Sequence, residues 1–150
     1  MNGCKRHLLV DTLGLPLRVR VTAGNVGDRD GAAMLLRDAR ASFPRLRHGW
    51  VDAGYRGPFL DWAREVAGVS LQVVQRRDGG MRRRWLPAGT EPPGVPRFAV
   101  VPRRWVVERS FAWLGRYRRL SRDYEYVPAT SEAVIQLAMS LLLLRRLTSS

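Results

Sequence analysis

Residues 48–75, HGWVDAGYRGPFLDWAREVAGVSLQVVQ, contain the alternation of elements that decides the fold. The runs HGWVDAGY and SLQVVQ predict two short strands, the first of which ends at a glycine. Between them, GPFLDWAREVAG predicts a helix with Pro58 in its first turn and Gly68 just past its end. A strand, a helix and a second strand in this order are typical of an α/β fold.

The segment before this unit predicts a hairpin. HLLVDT and LRVRVTA flank the turn LGLP. In the second strand, Val19 and Val21 alternate with Arg18 and Arg20, which indicates one buried face and one exposed face. The hairpin supplies two further strands of the expected sheet.

A turn, GNVGDRDG, separates the hairpin from the next predicted helix. That helix is expected to run from Gly31 to about Ala41, with Asp28 or Asp30 capping its N-terminus. The unit quoted above follows it.

After the unit, RRDGGMRRRWLPAGTEPPG is rich in glycine, proline and arginine, and it predicts an extended, mobile, basic loop over about 76–97. A brief strand is expected at Phe98–Val100. One helix is expected from about Pro102 to Leu120 and a last one from Ser131 to Leu147. Residues 1–150 therefore predict one α/β domain with a mixed sheet flanked by helices.

The charge of the chain is far from neutral. The sequence carries a formal net charge of +13, with 25 arginines and a single lysine, Lys5. This charge attracts polyanions, and arginine suits phosphate binding. A GC-rich genome would explain the preference for arginine over lysine equally well, but it would not explain the net charge.

Cellular location follows from what the sequence lacks. Cys4 is the only cysteine, which excludes an internal disulfide and a thiolate metal cluster. The N-terminal apolar run is too short for a signal peptide, and Ala133–Leu144 is too short for a membrane span. We therefore expect a cytoplasmic protein without a membrane partner.

Two carboxylates are candidates for catalysis and metal binding. Asp52 follows a strand, where α/β sheets usually place their chemistry, although for this residue taken alone a turn or cap aspartate is the favoured interpretation. Glu108 is the single acid between Arg103 and Arg122; its alternative is a solvated carboxylate paired with Arg104 or Arg109. Hard divalent cations such as Mg²⁺ require oxygen ligands of this kind.

Spacing along the last-but-one helix divides its residues between two faces. The predicted core stripe comprises Val107, Phe111 and Leu114. The face of Glu108 also carries Arg104, Ala112 and Gly115, and the two small residues leave space beside the carboxylate. Trp105, Trp113 and Arg109 share a face, on which a core role for the tryptophans is favoured over base stacking.

Three segments together resemble the C-terminal part of a DDE-type transposase of bacterial insertion sequences. KRHLLVDTLGLPLRVRVTAGNVGDRDGA resembles the hairpin and turn that follow the first catalytic strand of that family. WVDAGYRG resembles the segment with the second catalytic aspartate, which places that role on Asp52. PRRWVVERSFAWLGRYRRLSRDYE resembles the tyrosine–arginine–glutamate–lysine signature, which places its glutamate on Glu108 and its arginine on Arg104.

The resemblance implies a ribonuclease H-like fold, and this chain departs from it at three points. Val101 stands where the signature has tyrosine, and Gly115 stands at its lysine, with Arg116 one residue later. The first catalytic aspartate would precede the block that begins at Lys5. Asp11 does not replace it and is interpreted as a turn residue. The sheet is therefore expected to lack its first strand, and the chain alone is expected to be inactive.

The implied activity is Mg²⁺- or Mn²⁺-dependent DNA cleavage and strand transfer at insertion-sequence ends, with two ions in the complete enzyme. The expected partners are end and target DNA, together with the upstream half of the transposase or an intact transposase. We expect the DNA phosphates to contact arginines on the signature helix, at its end and in the basic loop, namely Arg103, Arg104, Arg116, Arg119, Arg82, Arg83 and Arg84. A solvated role is equally open for the loop residues.

Two alternatives to the catalytic interpretation stay open. One is a non-catalytic DNA-binding remnant that interferes with an intact transposase. The other is a metal-dependent nuclease outside transposition. A decayed element, a misassigned start and the downstream frame of a frameshifted gene would each account for the missing aspartate.

Overall fold

The computed structural model describes residues 3–37, 39–74, 104–121, 125 and 127–148. An antiparallel hairpin comes first, formed by β1 (Cys4–Val10) and β2 (Pro16–Ala23). Asp11 closes its turn, because its Oδ1 accepts hydrogen bonds from the backbone N–H groups of Leu13 and Leu15, each at 2.8 Å. The predicted hairpin is confirmed, and the carboxylate of Asp11 is used by the turn.

The strand–helix–strand unit also has the predicted order. β3 (His48–Val51) pairs in parallel with β4 (Ser70–Val73). The connecting helix is α3 (Pro58–Glu65), which begins at the proline that suits a first turn. Two parallel neighbouring strands need a crossover connection, and α3 is the helix in this connection.

The predicted helix over Gly31–Ala41 was wrong in its start and in its continuity. α1 (Asp28–Leu36) begins three residues earlier, and α2 (Ala39–Ser42) is a separate short helix. Gly27 occupies the N-cap of α1 without a side-chain hydrogen bond. The carboxylate of Asp28 instead bonds Lys5 Nζ at 3.1 Å, so the acid ties α1 to β1 rather than capping the helix.

The described residues after 103 contain two α-helices. α4 (Arg104–Gly115) is shorter than predicted, because the backbone of Tyr117 is extended and a short 3-10 turn, Arg118–Leu120, follows. α5 (Pro128–Thr148) confirms the last predicted helix, although it begins three residues before the expected Ser131. The predicted loop over 76–97 and the predicted strand Phe98–Val100 lie outside the described residues.

Neighbouring residues of β1 contact two different apolar cores, one on each face of the hairpin. Leu8 packs toward the core shared with α4 and α5, and Leu9 packs toward the core shared with α1 and α3. The first core contains Val19, Val21, Leu114, Leu120, Ile135, Ala138 and Met139. The second contains Leu36, Phe59, Ala63, Ala67 and Val69. The alternation is that of a strand covered on both faces.

The four strands of the described residues form two separate two-stranded sheets, one antiparallel and one parallel, and do not form the one mixed sheet that was predicted. Helices pack on both, so the α/β class is confirmed. α1 contacts β1, β2 and α3, and it thereby connects the hairpin to the parallel pair.

Candidate active-site cleft

A large cavity lies between the two sheets. Its volume is about 1020 Å³, and it is lined along β1, along β3 and by the helices around them. We call it the cleft. Both candidate carboxylates, Asp52 and Glu108, are exposed and line it. The chain thus brings to one cavity two acids that are far apart in sequence.

Asp52 is held where β3 ends. It is the N-cap of a 3-10 turn, Ala53–Tyr55, and its Oδ1 accepts a hydrogen bond from the backbone N–H of Gly54 at 2.8 Å. The structure therefore confirms that Asp52 caps a turn. Arg29 Nε donates to the Gly54 carbonyl at 3.1 Å, which fixes the same turn against the start of α1.

Tyr55 shares this end of the cleft with two acids. Burial raises the pKa of the Tyr55 hydroxyl above its ordinary value, and the carboxylates of Asp28 and Asp52 raise it further. The tyrosine therefore stays neutral and is available as a hydrogen-bond donor. Sequence reasoning missed both Tyr55 and Asp28. Tyr55 is in the turn that Asp52 caps, and the start of α1, which carries Asp28, lies beside that turn through the bond from Arg29 to Gly54.

Glu108 lies on the face of α4 that borders the cleft, together with Val107 and Phe111. The predicted core stripe of α4 was wrong for these two apolar residues, since Val107 is half-buried and Phe111 is 40% exposed. The buried face of α4 instead contains Val106, Ser110 and Leu114.

Ser110 explains why the buried face is shifted. Its Oγ lies 2.6 Å from the Gly14 carbonyl oxygen and 3.1 Å from that of Val106. Arg109 Nη2 donates to the Leu13 carbonyl beside it. The hairpin turn thus accepts hydrogen bonds from two adjacent α4 residues, which fixes the rotation of the helix and turns Val107 and Glu108 toward the cleft. A serine in mid-helix gave no sequence signal for this role.

Long-range contacts position the elements that carry the two carboxylates. Near Asp52, Arg29 bonds the Gly54 carbonyl, and Asp28 of the same helix bonds Lys5 of β1. The residues that follow Glu108 contact Leu13 and Gly14 in the hairpin turn.

Carboxylate oxygens are the ligand type that Mg²⁺ prefers, so Asp52 and Glu108 suit the ion chemically. Among the described residues, however, no three His, Cys, Asp or Glu side chains come together as a metal-binding group. The described side chains therefore do not constitute a two-metal site. That these two acids bind metal together stays a prediction.

Open space on α4 agrees with the predicted clearing near Glu108. Ala112 and Gly115 are exposed, and a Cβ added at Gly115 would meet no other atom within 4 Å. The small residues leave this part of the helix accessible.

The predicted DNA-binding arginines have different environments. Arg116 is exposed just after α4. Arg119 is also exposed, but its Nε bonds the Glu125 carboxylate at 2.7 Å, and this partner raises the pKa of the guanidinium. Arg104 is the first residue of α4, and its contact with DNA stays a prediction. Arg103 and Arg82–Arg84 lie outside the described residues.

Arginine and tryptophan side chains alternate in a stack on α4. The Arg109 guanidinium carbon lies 4.3 Å from the Trp105 ring centroid and 4.9 Å from that of Trp113. Arg146 of α5 lies 4.4 Å from the centroid of Trp113. The predicted shared face is confirmed, but only Trp113 packs against the core; Trp105 is 44% exposed. Arg109 is thus used structurally, through cation–π contacts.

Both histidines make contacts within the fold. His7 is buried and bonds Thr22 Oγ1 at 2.9 Å. His48 makes an edge contact with Trp50. None of the helices in the described parts of the chain is long and apolar enough to cross a bilayer.

Comparison with known proteins identifies the family. Residues 1–143 match the family model described as a transposase DDE domain. The chain is 33% identical over 128 residues to a Burkholderia cepacia protein described as a transposase for insertion sequence element IS402, covering 82% of this chain and 54% of the relative. It is 27% identical over 141 residues to the corresponding IS6501 protein of Brucella ovis, covering 94% and 98%.

The chain spans about half the length of the first relative and nearly the whole of the second. No solved structure was found to match it. Both relatives are described as transposases of insertion sequences, and the family model covers most of the sequence. The chain therefore belongs to the transposase DDE domain family.

Proposed function

We propose that this chain forms part of the catalytic domain of a DDE transposase with a ribonuclease H-like arrangement, and that it acts in DNA cleavage and strand transfer at insertion-sequence ends. The observation that carries the proposal is the family match over residues 1–143, combined with Asp52 and Glu108 lining one cleft. Members of this family generally use divalent metal ions.

In this proposal, Asp52 and Glu108 are an incomplete set of metal ligands. Each is exposed to the cleft and comes from a rigid element, the end of β3 or the middle of α4. Two acids without a third ligand would bind a metal pair poorly. In this proposal the chain alone is therefore inactive, and activity requires a further polypeptide that supplies a ligand.

DNA binding is the second part of the proposal. The net charge of +13 favours contact with phosphates, and the exposed Arg116 lies close to the accessible end of α4. Arg104 lies at the other end of the same helix and is proposed as a second phosphate contact. Binding through such contacts does not require metal.

The test is a nicking assay on a supercoiled plasmid that carries the insertion sequence, with Mg²⁺ or Mn²⁺. We expect DNA binding but no cleavage by the purified chain. Adding the upstream part of the transposase is expected to produce nicks, which Asp52→Asn and Glu108→Gln each reduce at least 100-fold. Asp61→Asn and Glu65→Gln on α3 replace exposed acids outside the cleft and serve as matched controls. Nicking that survives both test substitutions would exclude the catalytic assignment.

The high charge also favours a second function, that of a DNA-binding protein that interferes with an intact transposase. It predicts that adding the chain to an active transposase slows nicking in proportion to its concentration. Asp52→Asn and Glu108→Gln would not alter this inhibition, because no catalysis by the chain is involved. Inhibition that disappears with either substitution, while DNA binding is retained, would argue against this alternative.

A further inference from the structure

A cluster of arginines lies where the parallel strand pair begins. The segment 37–48 contains four arginines and one acid, Asp38. All four are exposed, namely Arg37, Arg40, Arg45 and Arg47. No ion pair within the described residues involves any of them. Their charges are therefore not neutralised within the described part of the chain, and they attract anions.

The apolar residues of this segment fix its backbone and leave the arginines on the outside. Ala39 is fully buried, and Leu46 packs against the core shared with α1 and α3. The Phe43 N–H donates to the Ala39 carbonyl at 2.8 Å, and the Leu46 N–H donates to the Phe43 carbonyl at 2.9 Å. Arg45 and Arg47 flank Leu46 in the sequence. Because Leu46 packs inward, both of its neighbours are exposed.

Packing brings two of the arginines to the start of β4. Gly68 has a positive φ of 66°, and a Cβ added there would collide with Arg40 Nη1, so the Arg40 guanidinium lies against this glycine. The Ser70 N–H donates to the Arg47 carbonyl at 2.9 Å. Arg40 and Arg47 are therefore held at positions only two residues apart in the segment that leads into β4.

We call Arg40, Arg45 and Arg47 the strand-start surface. Arg45 also lines the cleft, whereas the other two do not. Arg47 precedes β3 and Asp52 follows it, and an extended strand places their backbones about 16 Å apart. Arg116 is also distant, because it follows α4, which packs on the other face of the hairpin. The surface thus lies apart from both the candidate catalytic acid and the arginine at the end of α4.

We propose that the strand-start surface is a second DNA-contact surface, which binds the phosphates of duplex DNA without reading the base sequence. A guanidinium presents a planar fork of N–H donors that fits a phosphate, and arginines fixed at neighbouring positions can contact phosphates along one strand. Such contacts position DNA and carry no sequence information. The choice of DNA over an acidic peptide rests on the proposed function and on the net charge of +13.

The first experiment measures how DNA binding depends on salt. The full chain is titrated without metal into a labelled random-sequence duplex of about 30 base pairs, and fluorescence anisotropy gives the binding constant. Arg40→Gln and Arg47→Gln should each lower the magnitude of the logarithmic salt slope by about 1, since each removes one phosphate contact. Arg146→Gln on α5 is the matched control: it removes the same charge from the other face of the hairpin and should leave the slope unchanged. Circular dichroism establishes that the variants are folded.

The second experiment locates the DNA on the protein. Phenylglyoxal modifies exposed arginines, and mass spectrometry of peptides gives the rate at each position. An excess of the duplex should slow modification of the strand-start surface at least five-fold and change the rate at Arg146 less than two-fold. Polyglutamate replaces the duplex in a parallel sample, and it should protect the three arginines much less. Equal protection by polyglutamate would assign the surface to an acidic peptide and overturn the proposal.

Other outcomes would overturn the proposal as well. These are unchanged salt slopes in both test variants, an equal change in the Arg146 variant, and the absence of protection by DNA. If Arg116→Gln lowers the slope and the two test variants do not, the strand-start surface fails and DNA binding by α4 stands. Neither experiment uses metal or cleavage. If both give the expected results but nicking survives Asp52→Asn and Glu108→Gln, the proposed catalytic function fails and the surface stands.

Discussion

At the scale of single residues, Asp52 combines a structural role with exposure to the cleft. Its Oδ1 caps the turn after β3, and Oδ2 accepts no hydrogen bond from the described residues. The single cap hydrogen bond orients the carboxylate and leaves its other lone pairs available. The same residue can therefore fix a turn and bind a ligand. Asp11, by contrast, bonds two backbone N–H groups within the hairpin turn.

His7 makes stability depend on pH. Burial lowers its pKa below the ordinary value, a trend that Lys5 reinforces and Asp28 opposes. The unfolded chain then binds more protons than the folded one, so the free energy of unfolding falls as the pH falls through about 6.5 toward the lower folded pKa.

The check is urea unfolding from pH 7.5 to 5. His7→Gln should make the curve flatter in this range, whereas the exposed His48→Gln should not change its slope. If the free energy of unfolding depends on pH equally steeply in the His7 variant and in the parent, the effect does not come from His7.

Gly14 and Gly57 allow backbone strain to be separated from packing. Both have positive φ, 81° and 91°. A Cβ at Gly14 would lie 3.0 Å from Ser110 Oγ and 3.2 Å from the Val106 carbonyl oxygen, whereas a Cβ at Gly57 would meet no atom within 4 Å.

Gly57→Ala should therefore lower the free energy of unfolding by about 1 kcal/mol, the cost of the left-handed conformation. Gly14→Ala should cost about 2 kcal/mol or more, because α4 must also move from the turn. Urea denaturation followed by circular dichroism measures both losses. Equal losses would mean that the turn does not hold α4.

At the scale of elements, the position of the hairpin depends on ties to three helices. Lys5 bonds Asp28 at the start of α1, and the turn bonds Ser110 of α4. α5 is tied through Glu132, whose Oε2 accepts from Arg20 and whose Oε1 accepts from the Val21 backbone N–H, at 3.0 and 2.9 Å. Each of these contacts joins segments that are distant in sequence. Together they fix the orientation of the helices, which the hydrophobic periodicity of the sequence does not determine.

Substitutions at Glu132 test the tie between α5 and β2. Glu132→Ala removes both hydrogen bonds and leaves the Val21 N–H without its acceptor, so unfolding should become easier by about 2 kcal/mol. Glu132→Gln keeps an amide oxygen for that N–H and should cost about half as much. The measurement is the urea midpoint, with Glu65→Ala on α3 as an exposed control. If the alanine and glutamine variants lose the same stability, the lost ion pair with Arg20, and not the bond to the Val21 N–H, accounts for the loss.

At the scale of the whole molecule, charge is spread over many arginines, and structural contacts use some of them. Arg6 Nη1 donates to the Leu120 carbonyl at 2.6 Å, and Arg18 Nη1 donates to that of Leu35 at 3.1 Å. Arg109 stacks between two tryptophans. A net charge of +13 therefore does not imply that every arginine contacts DNA.

Salt dependence separates phosphate contacts from structural arginines. The logarithm of the DNA-binding constant should fall linearly with the logarithm of salt concentration, because bound counterions are released. Arg116→Gln should lower the magnitude of this slope by about 1, as the loss of one phosphate contact does. Arg119→Gln should change it less, since Glu125 already binds that guanidinium. Fluorescence anisotropy at 50–200 mM salt measures the slopes, and an unchanged slope for Arg116→Gln would remove it from the interface.

The sequence by itself determined the order and the type of most described elements. The hairpin, the strand–helix–strand unit and the last helix follow from short-range patterns, such as alternation in β2 and Pro58 at the start of α3. It also determined the family, because the segments that carry Asp52 and Glu108 are contiguous motifs. Local steric preferences and side-chain periodicity act over a few residues, so they can be read without a structure.

Only the tertiary structure decided how these elements face one another. The rotation of α4 depends on Ser110 bonding Gly14, 96 residues away, and this contact turned the predicted stripe of Val107 and Phe111 toward the cleft. The position of Asp52 and Glu108 on one cleft, and the division of the described strands into two sheets, likewise depend on long-range packing. Such contacts depend on the summed energies of many distant side chains, and a single local pattern does not encode them.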